Sequence, residues 1–452
     1  MIPKDIYPKS PIRRLRRDFT DTQLDWPIDT KVATAVVGMS LSFAVRALNY
    51  SPGSRPRTFT LRQVLDLLDL DEYEETFVPR SRVPDYLLES AARGRESTAA
   101  EPMIITVDHL SPSLIRGHAG DLLRSLPPQS IQCAVTSSPY WGMRVYDDPR
   151  VVQWADGEHC SYGFEQTPEG FIRHTVELLY LLRPALTLDG SVWWNLMDTY
   201  NTRTPIRGSS REKLQAMQDD PEYALGWTEH AACRHSAGHM YLSDAELTMI
   251  PARIAQRASR LGYWLKSYIT WNKDSTPEPV KSRVTRQSEV ILHLSNGTTP
   301  YFDKGASRSL EQRLGGANPP YESPEKITDV WYIPTARGKN RHGAEFPVAL
   351  AGRCISLSSR PGDVVLDPFI GSGTSALAAM ELGRRCVGFD TSQTYLDVAS
   401  QRVDELATCL KAQPRLVAVE GGLSGGIAQT MDVGADIAMP PPRSRRRQVA
   451  GS

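Results

Sequence analysis

The sequence lacks the features that mark a general polyanion binder, a disulfide scaffold or a membrane protein. Its formal net charge is zero, so any affinity for a polyanion must come from local clusters. Six cysteines occur without a CxxC pair, which argues against a disulfide framework. The longest apolar run, Val32 to Leu48, is interrupted by polar residues and predicts a buried helix rather than a membrane span. Without a signal-peptide pattern, we expect a cytoplasmic protein.

Basic residues are nevertheless concentrated in two segments. The first contains Arg13, Arg14, Arg16 and Arg17. The second runs from 253 to 286 and contains Arg253, Arg257, Arg260, Lys266, Lys273, Lys281, Arg283 and Arg286. Each cluster is explained either by a solvated surface or by contacts to phosphates. The sequence alone leaves both explanations open.

Composition and periodicity divide the chain into three parts. Residues 1–104 predict a mainly helical accessory region, in which Thr60 and Gln63 form a capping box. The small polar segment from Arg93 to Glu101 is interpreted as a linker. Residues 105–410 alternate between strand and helix patterns, and residues 411–452 are rich in Gly, Pro and Arg, which predicts a disordered tail.

The middle part predicts an α/β fold. Apolar strand patterns occur at 131–135, 191–197, 268–271, 289–294, 363–366 and 385–389. Helical patterns occur at 171–182, 247–261, 347–358 and 375–382. Strands that alternate with helices indicate a Rossmann-like, mostly parallel sheet covered by helices on both faces.

A strand followed by a Gly-rich turn is the most specific motif in the chain. It reads Asp367-Pro368-Phe369-Ile370-Gly371-Ser372-Gly373-Thr374. Glycines allow the backbone to approach a ligand closely, and Asp367 ends a strand where open α/β sheets bind ligands. The next strand ends at Asp390, about twenty residues later, which is the spacing of a carboxylate that holds ribose hydroxyls.

A phosphate-binding loop is the main alternative for this turn. Thr374 and Ser375 follow the last glycine, where such a loop requires lysine, and Asp367 would repel a phosphate. A ligand with a ribose and a cationic amino-acid group, but no phosphate, fits better. S-adenosylmethionine is such a ligand.

A second motif, Thr136-Ser137-Ser138-Pro139-Tyr140-Trp141-Gly142, directly follows a predicted strand. Together the two motifs resemble those of DNA methyltransferases that modify exocyclic amino groups. That family has a Ser, Asp or Asn, then Pro-Pro and an aromatic residue, besides an Asp-Pro-Phe-x-Gly-Ser-Gly-Thr cofactor loop. Because the short motif precedes the cofactor loop, the order is similar to that of the family's β group, and the resemblance covers roughly residues 105–410.

The resemblance implies roles for further residues. The segments at 118–123, 188–195, 271–273 and 342–347 are similar to other family segments, as are Arg283 and Glu289. The implied cofactor residues are Asp367, Pro368, Phe369, Gly371, Ser372, Gly373, Thr374, Asp390, Phe346 and Pro347. The implied catalytic residues are Ser137, Ser138, Pro139 and Tyr140, and Lys273, Lys281, Arg283 and Arg286 are candidate DNA contacts.

The family chemistry explains these residue types. An exocyclic amine is a poor nucleophile, and acceptors for its hydrogens make the nitrogen more tetrahedral. The resemblance assigns the acceptors to the Ser137 hydroxyl and the Ser138 carbonyl, with Tyr140 stacked on a flipped base. Ser138 departs from the family pattern, which usually has proline, so the acceptor is kept while the rigidity of a second proline is lost.

Several activities remain open. Ser137 resembles the cytosine-N4 branch and favours it over adenine N6, where Asp is typical. Methylation of cytosine carbon 5 needs a cysteine nucleophile, usually in a Pro-Cys pair, and no cysteine here follows a proline. A DNA-binding module with a degenerate methyltransferase fold, or methylation of another amino nitrogen such as a glutamine side chain, are the remaining alternatives.

We expect duplex DNA as the partner, recognised mainly by an insertion at about 200–247, with help from 303–329 and the N-terminal hundred residues. A separate cognate restriction endonuclease and a homodimer are left open. The cluster His230, Cys233, His235 and His239 is interpreted as a His-rich loop rather than a zinc site. The aromatic residues Trp193, Trp194, Tyr263, Trp264 and Tyr268 are predicted to pack in the core.

Overall fold

The computed structural model describes residues 19–51, 53–70, 74–96, 103, 105, 108–142, 148–201, 242–243, 246–273, 283–323, 326–336 and 346–412. The N-terminal elements are α1 (Asp21–Leu24), β1 (Pro27–Asp29), α2 (Thr30–Val37), α3 (Leu41–Ala47), β2 (Thr58–Thr60), α4 (Leu61–Leu68) and α5 (Val83–Glu96). β1 and β2 pair antiparallel, and the rest of this region is mainly helical, as predicted. The capping box of α4 is confirmed, and the residues Leu61, Val64, Leu65 and Leu68 are buried.

The elements that follow build the main sheet and its cover. They are β3 (Ser113–Arg116), α6 (Ala119–Arg124), β4 (Ile131–Ser137), β5 (Val152–Gln153), β6 (His159–Cys160), α7 (Pro168–Leu182), β7 (Leu186–Leu196), α8 (Ile250–Arg260), β8 (Trp264–Asn272), β9 (Ser288–Ser295), β10 (Val330–Tyr332), α9 (Val348–Ser358), β11 (Val364–Asp367), α10 (Thr374–Glu381), β12 (Arg385–Asp390) and α11 (Gln393–Ala412). Short 3₁₀ turns occur at Arg80–Arg82, Arg183–Ala185 and Gln312–Leu314.

The main sheet has eight strands in the order β10-β8-β9-β7-β4-β11-β12-β3. Only β9 runs antiparallel to its neighbours β7 and β8, and the other described pairs are parallel. Alternate residues of the central strands belong to two separate core clusters, as Val364 and Val365 do on β11. The sheet is therefore covered on both faces, which confirms the predicted α/β class.

The N-terminal region packs against α7 and α8. The Phe77 ring stacks on the Tyr180 ring with 4.8 Å between centroids. Arg257 donates a hydrogen bond to the Thr76 carbonyl at 3.1 Å and pairs with Glu169, as Arg253 also does. The side chains of these two arginines of the second basic cluster therefore contact other parts of the protein. They form neither a solvated surface nor a site open to phosphates.

Two local predictions about the N-terminal region are wrong. The run Val32 to Leu48 forms two helices instead of one, because Gly38 adopts a φ of 75° and the Ser40 hydroxyl caps α3 by accepting from the Phe43 N–H. The predicted linker from Arg93 begins inside α5, which continues to Glu96, and 97–101 lie outside the described residues.

Two of the aromatic residues predicted to pack in the core are exposed at a sheet edge. Trp264 and Tyr268 are 51% and 40% exposed, because β10 pairs only with Thr270–Asn272 and leaves the first half of β8 at a sheet edge.

Lys411 and Ala412, expected in the tail, belong to α11, while 413–452 lie outside the described residues. The cluster of His230, Cys233, His235 and His239 also lies outside them. Among the described helices, none is long and apolar enough to cross a membrane.

Candidate functional site

The two sequence motifs meet at the carboxyl edge of the sheet. β4 and β11 are neighbouring parallel strands, with Ala134 paired to Leu366. From β11 the chain continues to β12 on one side, and from β4 it continues to β7 on the other. The boundary between β4 and β11 is therefore the topological switch point, where open α/β sheets form a ligand crevice.

Asp367 holds the Gly-rich turn together from inside the protein. Its side chain is fully buried and accepts hydrogen bonds from the Thr136 hydroxyl at 2.6 Å, the Ser375 hydroxyl at 2.5 Å and the Phe369 N–H at 3.0 Å. Burial raises its pKa to about 6 against the opposing effect of these hydrogen bonds. Both carboxylate oxygens are engaged by the protein itself, so Asp367 fixes the loop geometry.

The turn after Asp367 requires glycine at Gly373. Its φ is 88°, and an added Cβ would lie 2.9 Å from the Cβ of Ala399 on α11. The Ser372 carbonyl and hydroxyl both accept hydrogen bonds from Arg402 at 2.8 Å, which ties the turn to the same helix. Thr374 then begins α10, so the turn leads directly into a helix as predicted.

Asp390 lies beside this turn at the end of β12. Its Oδ2 accepts from the Gly371 N–H at 3.0 Å, and its Oδ1 accepts from the Ser392 N–H at 2.8 Å. Burial raises the pKa of this carboxyl to about 6, although the backbone N–H groups oppose the shift. An ionised carboxylate here has lone pairs left for hydroxyl groups of a ligand.

Aromatic and apolar side chains border the same edge. The Phe369 ring stacks on Tyr162 with 5.0 Å between centroids and meets Trp194 edge-on at 6.2 Å. Phe346 is buried in a core cluster just before α9, and Pro347 occupies the N-cap position of that helix. Pro368 is buried as well. The predicted cofactor residues thus lie just before α9, in the turn between β11 and α10, and at the end of β12.

The Ser137 side chain sits in a polar cluster formed by β4, β7 and β9. Its hydroxyl lies 3.3 Å from the Tyr140 hydroxyl and accepts from the Asn195 amide at 3.2 Å. Ser137 and Asn195 are register partners on β4 and β7. The Asn195 Oδ1 atom is buried and has no hydrogen-bond partner among the described residues.

Glu289 completes this cluster, and sequence reasoning gave it no role beyond its strand. Its Oε2 accepts from the Tyr140 hydroxyl at 2.6 Å and from the Asn195 amide at 2.8 Å. Its Oε1 accepts from the Lys273 ammonium at 2.5 Å. The one sequence feature that pointed to Glu289 was the resemblance of its strand to a segment of the family. No local sequence pattern could predict that Glu289 contacts Tyr140.

Ser138, where the chain departs from the family pattern, is buried and hydrogen-bonded through its side chain. Its hydroxyl accepts from the Trp194 indole N–H at 3.0 Å and lies 3.3 Å from the Tyr162 hydroxyl. Proline could make neither contact. Ser138 thus makes side-chain hydrogen bonds at the position where the family pattern has a second, conformationally rigid proline.

The residues predicted to contact DNA lie in different environments. Lys273 is 21% exposed and pairs with Glu289. The Arg283 guanidinium lies 3.5 Å from the ring centroid of Tyr200, and Arg286 donates to the Asp198 carbonyl. Lys281 lies outside the described residues. DNA contact by these side chains stays a prediction.

A buried ion-pair network lies next to the end of the Ser137–Tyr140 segment, where the Trp141 indole N–H donates to the Glu165 carbonyl at 2.9 Å. His174 contacts Glu165 at 3.0 Å through Nδ1 and Asp156 at 3.2 Å through Nε2, and Trp154 stacks on its ring. Burial would lower the pKa of His174, but the two carboxylates outweigh it and raise the pKa to about 9. Glu158 and Cys160 lie near enough to suggest a metal group, yet both His174 nitrogens already face carboxylates, as in an imidazolium.

Comparison with known proteins identifies the family. A family profile described as "DNA methylase", covering N6 and N4 enzymes, matches residues 131–401, which is more than half of the chain. This chain belongs to that DNA methylase family. The type II methyltransferase M.SmaI of Serratia marcescens is 32% identical over 296 residues, covering 65% of this chain and 91% of that protein. The type II methyltransferase M.Cfr9I of Citrobacter freundii is 32% identical over 297 residues, covering 64% and 87%.

Solved structures give fold likenesses of lower similarity. A putative DNA modification methylase of Thermus thermophilus, complexed with S-adenosyl-L-methionine, is 21% identical with a TM-score of 0.43, covering 66% of this methylase and 95% of that chain. The cytosine-N4-specific PvuII DNA methyltransferase is 16% identical with a TM-score of 0.44, covering 68% and 93%.

As a member of this family, the methylase transfers methyl groups from S-adenosylmethionine to DNA. The carboxyl edge of the sheet fits that cofactor. Asp390 offers carboxylate oxygens beside the turn, and an added Cβ at Gly371, whose φ is 51°, would meet no described protein atom within 4 Å, which leaves space there for a ligand. Asp367 places a buried acidic group where a phosphate would be repelled, which agrees with a ligand that carries none.

Proposed function

We propose that the methylase modifies the N4 atom of cytosine in duplex DNA, within a short specific sequence. The supporting observation is the neutral hydroxyl of Ser137 at the position where a carboxylate would resemble the adenine-N6 branch. This hydroxyl lies within a polar cluster at the mouth of the β4–β11 crevice and is held by the Asn195 amide. Adenine N6 is the alternative acceptor.

The reaction consists of one direct transfer. S-adenosylmethionine supplies the methyl group when bound. An N–C bond forms at the amino nitrogen as the donor's S–C bond breaks and its electron pair stays on sulfur, and the amino group then releases one proton to solvent. The Ser137 hydroxyl and the Ser138 carbonyl accept the amino hydrogens, while the Tyr140 ring stacks on the base. Positioning of the two reactants is the main catalytic contribution.

We assign the cofactor to the carboxyl edge of β11 and β12. Asp390 accepts the ribose hydroxyls, and the turn Gly371 to Thr374 provides the close backbone approach. Phe346 and Pro347 line the methionine end. Asp367, Pro368 and Phe369 shape the loop, since Asp367 is already bonded to Thr136 and Ser375.

Target recognition is assigned to the insertion at about 200–247. Residues 202–241 lie outside the described residues, but the two ends of the insertion meet. Tyr200 forms an antiparallel bridge with Leu247, and the Asn201 N–H donates to the Glu246 carbonyl at 2.8 Å. Arg283 and Arg286 flank Tyr200 at this base, so they are assigned to the adjoining DNA backbone.

The relatives that the chain resembles are named type II methyltransferases. On that likeness we propose that a separate restriction endonuclease recognises the same DNA sequence. The methylase would then protect that sequence in its own genome. Mapping of modified sites in cells that express the protein, followed by digestion with endonucleases of matching specificity, tests this assignment.

The decisive experiment incubates the purified full chain with duplex DNA and labelled S-adenosylmethionine and identifies the product by nucleoside mass spectrometry. N4-methylcytosine supports the proposal, and N6-methyladenine replaces it with the alternative. Transfer of label to RNA or protein but to no DNA would overturn both. Ser137→Ala serves as the control, because it should bind the cofactor as the wild type does while losing most of the transfer.

A further inference from the structure

Glu289 lies at the end of a chain of hydrogen bonds that begins at Ser137. Its side chain is 4% exposed, and every contact it makes in the cluster is with a donor. Tyr140 and Asn195 share Oε2, and Lys273 occupies Oε1. A carboxylate that receives these three hydrogen bonds presents only acceptor oxygens to its neighbours.

The direction of the chain follows from proton counting. The Tyr140 hydroxyl has one hydrogen, and the short 2.6 Å contact assigns it to Glu289. Tyr140 therefore has no hydrogen left for Ser137, which lies 3.3 Å away. The Ser137 hydrogen can point towards the Tyr140 oxygen. The Asn195 NH₂ group has two hydrogens for three acceptors, and the Tyr140 and Glu289 oxygens at 2.8 Å are nearer to it than the Ser137 oxygen at 3.2 Å.

This direction matters for the proposed reaction. A serine hydroxyl has one donor hydrogen and two acceptor lone pairs. To accept a hydrogen from the target amine, Ser137 must send its own hydrogen elsewhere. If Tyr140 donated to Ser137 instead, one acceptor position on the Ser137 oxygen would be occupied before the base arrives.

We propose that Glu289 is a positioning residue that orders the hydrogen bonds Ser137→Tyr140→Glu289 and thereby keeps Ser137 an acceptor for the target amino group. This inference rests on the proposed function, since it assigns Ser137 that acceptor role. Glu289 touches neither the base nor the cofactor in this scheme. Lys273 contributes by holding the second oxygen of Glu289 and keeping the carboxylate paired.

The variant that tests the order is Glu289→Gln. Its carbonyl oxygen will face Lys273, which needs an acceptor, so its NH₂ group will face Tyr140 and reverse the bond. We expect kcat to fall by about tenfold or more, with the KM for S-adenosylmethionine within about twofold of the wild type. The matched control is Glu405→Gln, a carboxyl on the exposed face of α11 that accepts from Gln401 and should leave both constants unchanged.

A double-mutant cycle with Tyr140→Phe separates ordering from general support of the fold. Without the Tyr140 hydroxyl the chain from Ser137 to Glu289 is broken, so Glu289→Gln should cost much less in that background. Independent, multiplicative losses would overturn the proposal, as would unchanged kcat in Glu289→Gln. If the wild type methylates no DNA, the proposed function fails instead, and the two failures are thus distinguishable. Thermal unfolding of each variant identifies any loss that comes from misfolding.

Discussion

The Thr136 hydroxyl donates a 2.6 Å hydrogen bond to the Asp367 carboxylate, although the two residues are 231 positions apart. Thr136 precedes the Ser137–Tyr140 segment, and Asp367 begins the cofactor turn. The bond therefore joins the loop assigned to the target base to the loop assigned to the cofactor. Their relative position is fixed at the point where the strands β4 and β11 lie side by side.

The first prediction concerns this bond. Thr136→Val keeps the side-chain shape but removes one donor from a buried carboxylate, so we expect a loss of about 1–3 kcal/mol in the free energy of unfolding. S-adenosylmethionine binding should weaken as the turn loosens. Urea unfolding and titration calorimetry measure the two effects. Thr408→Val, at an exposed hydroxyl on α11, is the control, and equal behaviour of the two variants would contradict the prediction.

The second prediction concerns pH and Asp390. Its pKa is raised to about 6 by burial, so the carboxyl becomes protonated as the pH falls through 6 and loses acceptor strength for ribose hydroxyls. Cofactor affinity should then be highest above pH 7. Asp390→Asn should bind more weakly than the wild type at pH 7.5, and the ratio of the two dissociation constants should shrink towards pH 5. A ratio that is independent of pH would remove Asp390 from the cofactor site.

The same raised pKa affects the protein without cofactor in the opposite direction. The contribution of Asp390 to folding is fully present below its ordinary pKa of 3.8 and is lost as the pH rises through 6. The two effects can be separated by measuring unfolding with and without S-adenosylmethionine at each pH. Ligand-induced stabilisation should grow between pH 5 and pH 7.5.

The third prediction concerns Ser138. Ser138→Ala leaves the buried Trp194 N–H without its acceptor, which costs about 1–3 kcal/mol of folding free energy and lowers activity. Ser138→Pro restores the family residue but leaves the same N–H unsatisfied, so it should not exceed the alanine variant.

A second substitution tests whether the unsatisfied Trp194 N–H causes this loss. In a Trp194→Phe background the unsatisfied N–H is absent, and Ser138→Pro should be tolerated better there than in the wild-type background. Single-turnover methyl transfer and urea unfolding provide both readouts. A fully active Ser138→Pro single variant would show that the hydroxyl contacts are dispensable.

The fourth prediction concerns His174. Removing its charge leaves Glu165 without its buried cation and Asp156 with Arg173 as its remaining partner, so His174→Gln should lower the free energy of unfolding by about 3–5 kcal/mol at pH 7. Because the pKa of His174 is raised to about 9, its stabilising contribution is complete below 6.5 and is lost as the pH rises through 9. The penalty should therefore be smaller at pH 10. The exposed His159→Gln variant is the control, and an equal penalty at both pH values would contradict the prediction.

Local signals were enough to predict most elements of the catalytic part. The strand before Ser137, the turn after Asp367 and the helix that ends before Gly262 each depend on neighbouring residues, and the structure contains all three. The capping box at Thr60 is equally local. Where a prediction failed, as in the run Val32 to Leu48, a single positive-φ glycine divided a pattern that otherwise suits one helix.

The sequence by itself determined the fold class and the pair of motifs, because periodicity, capping and turn chemistry act between residues a few positions apart. Only the tertiary structure decided the partners of those motifs. Thr136 meets Asp367, Ser138 meets Trp194, and Tyr140 meets Glu289, across separations of 231, 56 and 149 residues. Strand order in the sheet sets these pairings, and strand order depends on contacts that no local pattern encodes.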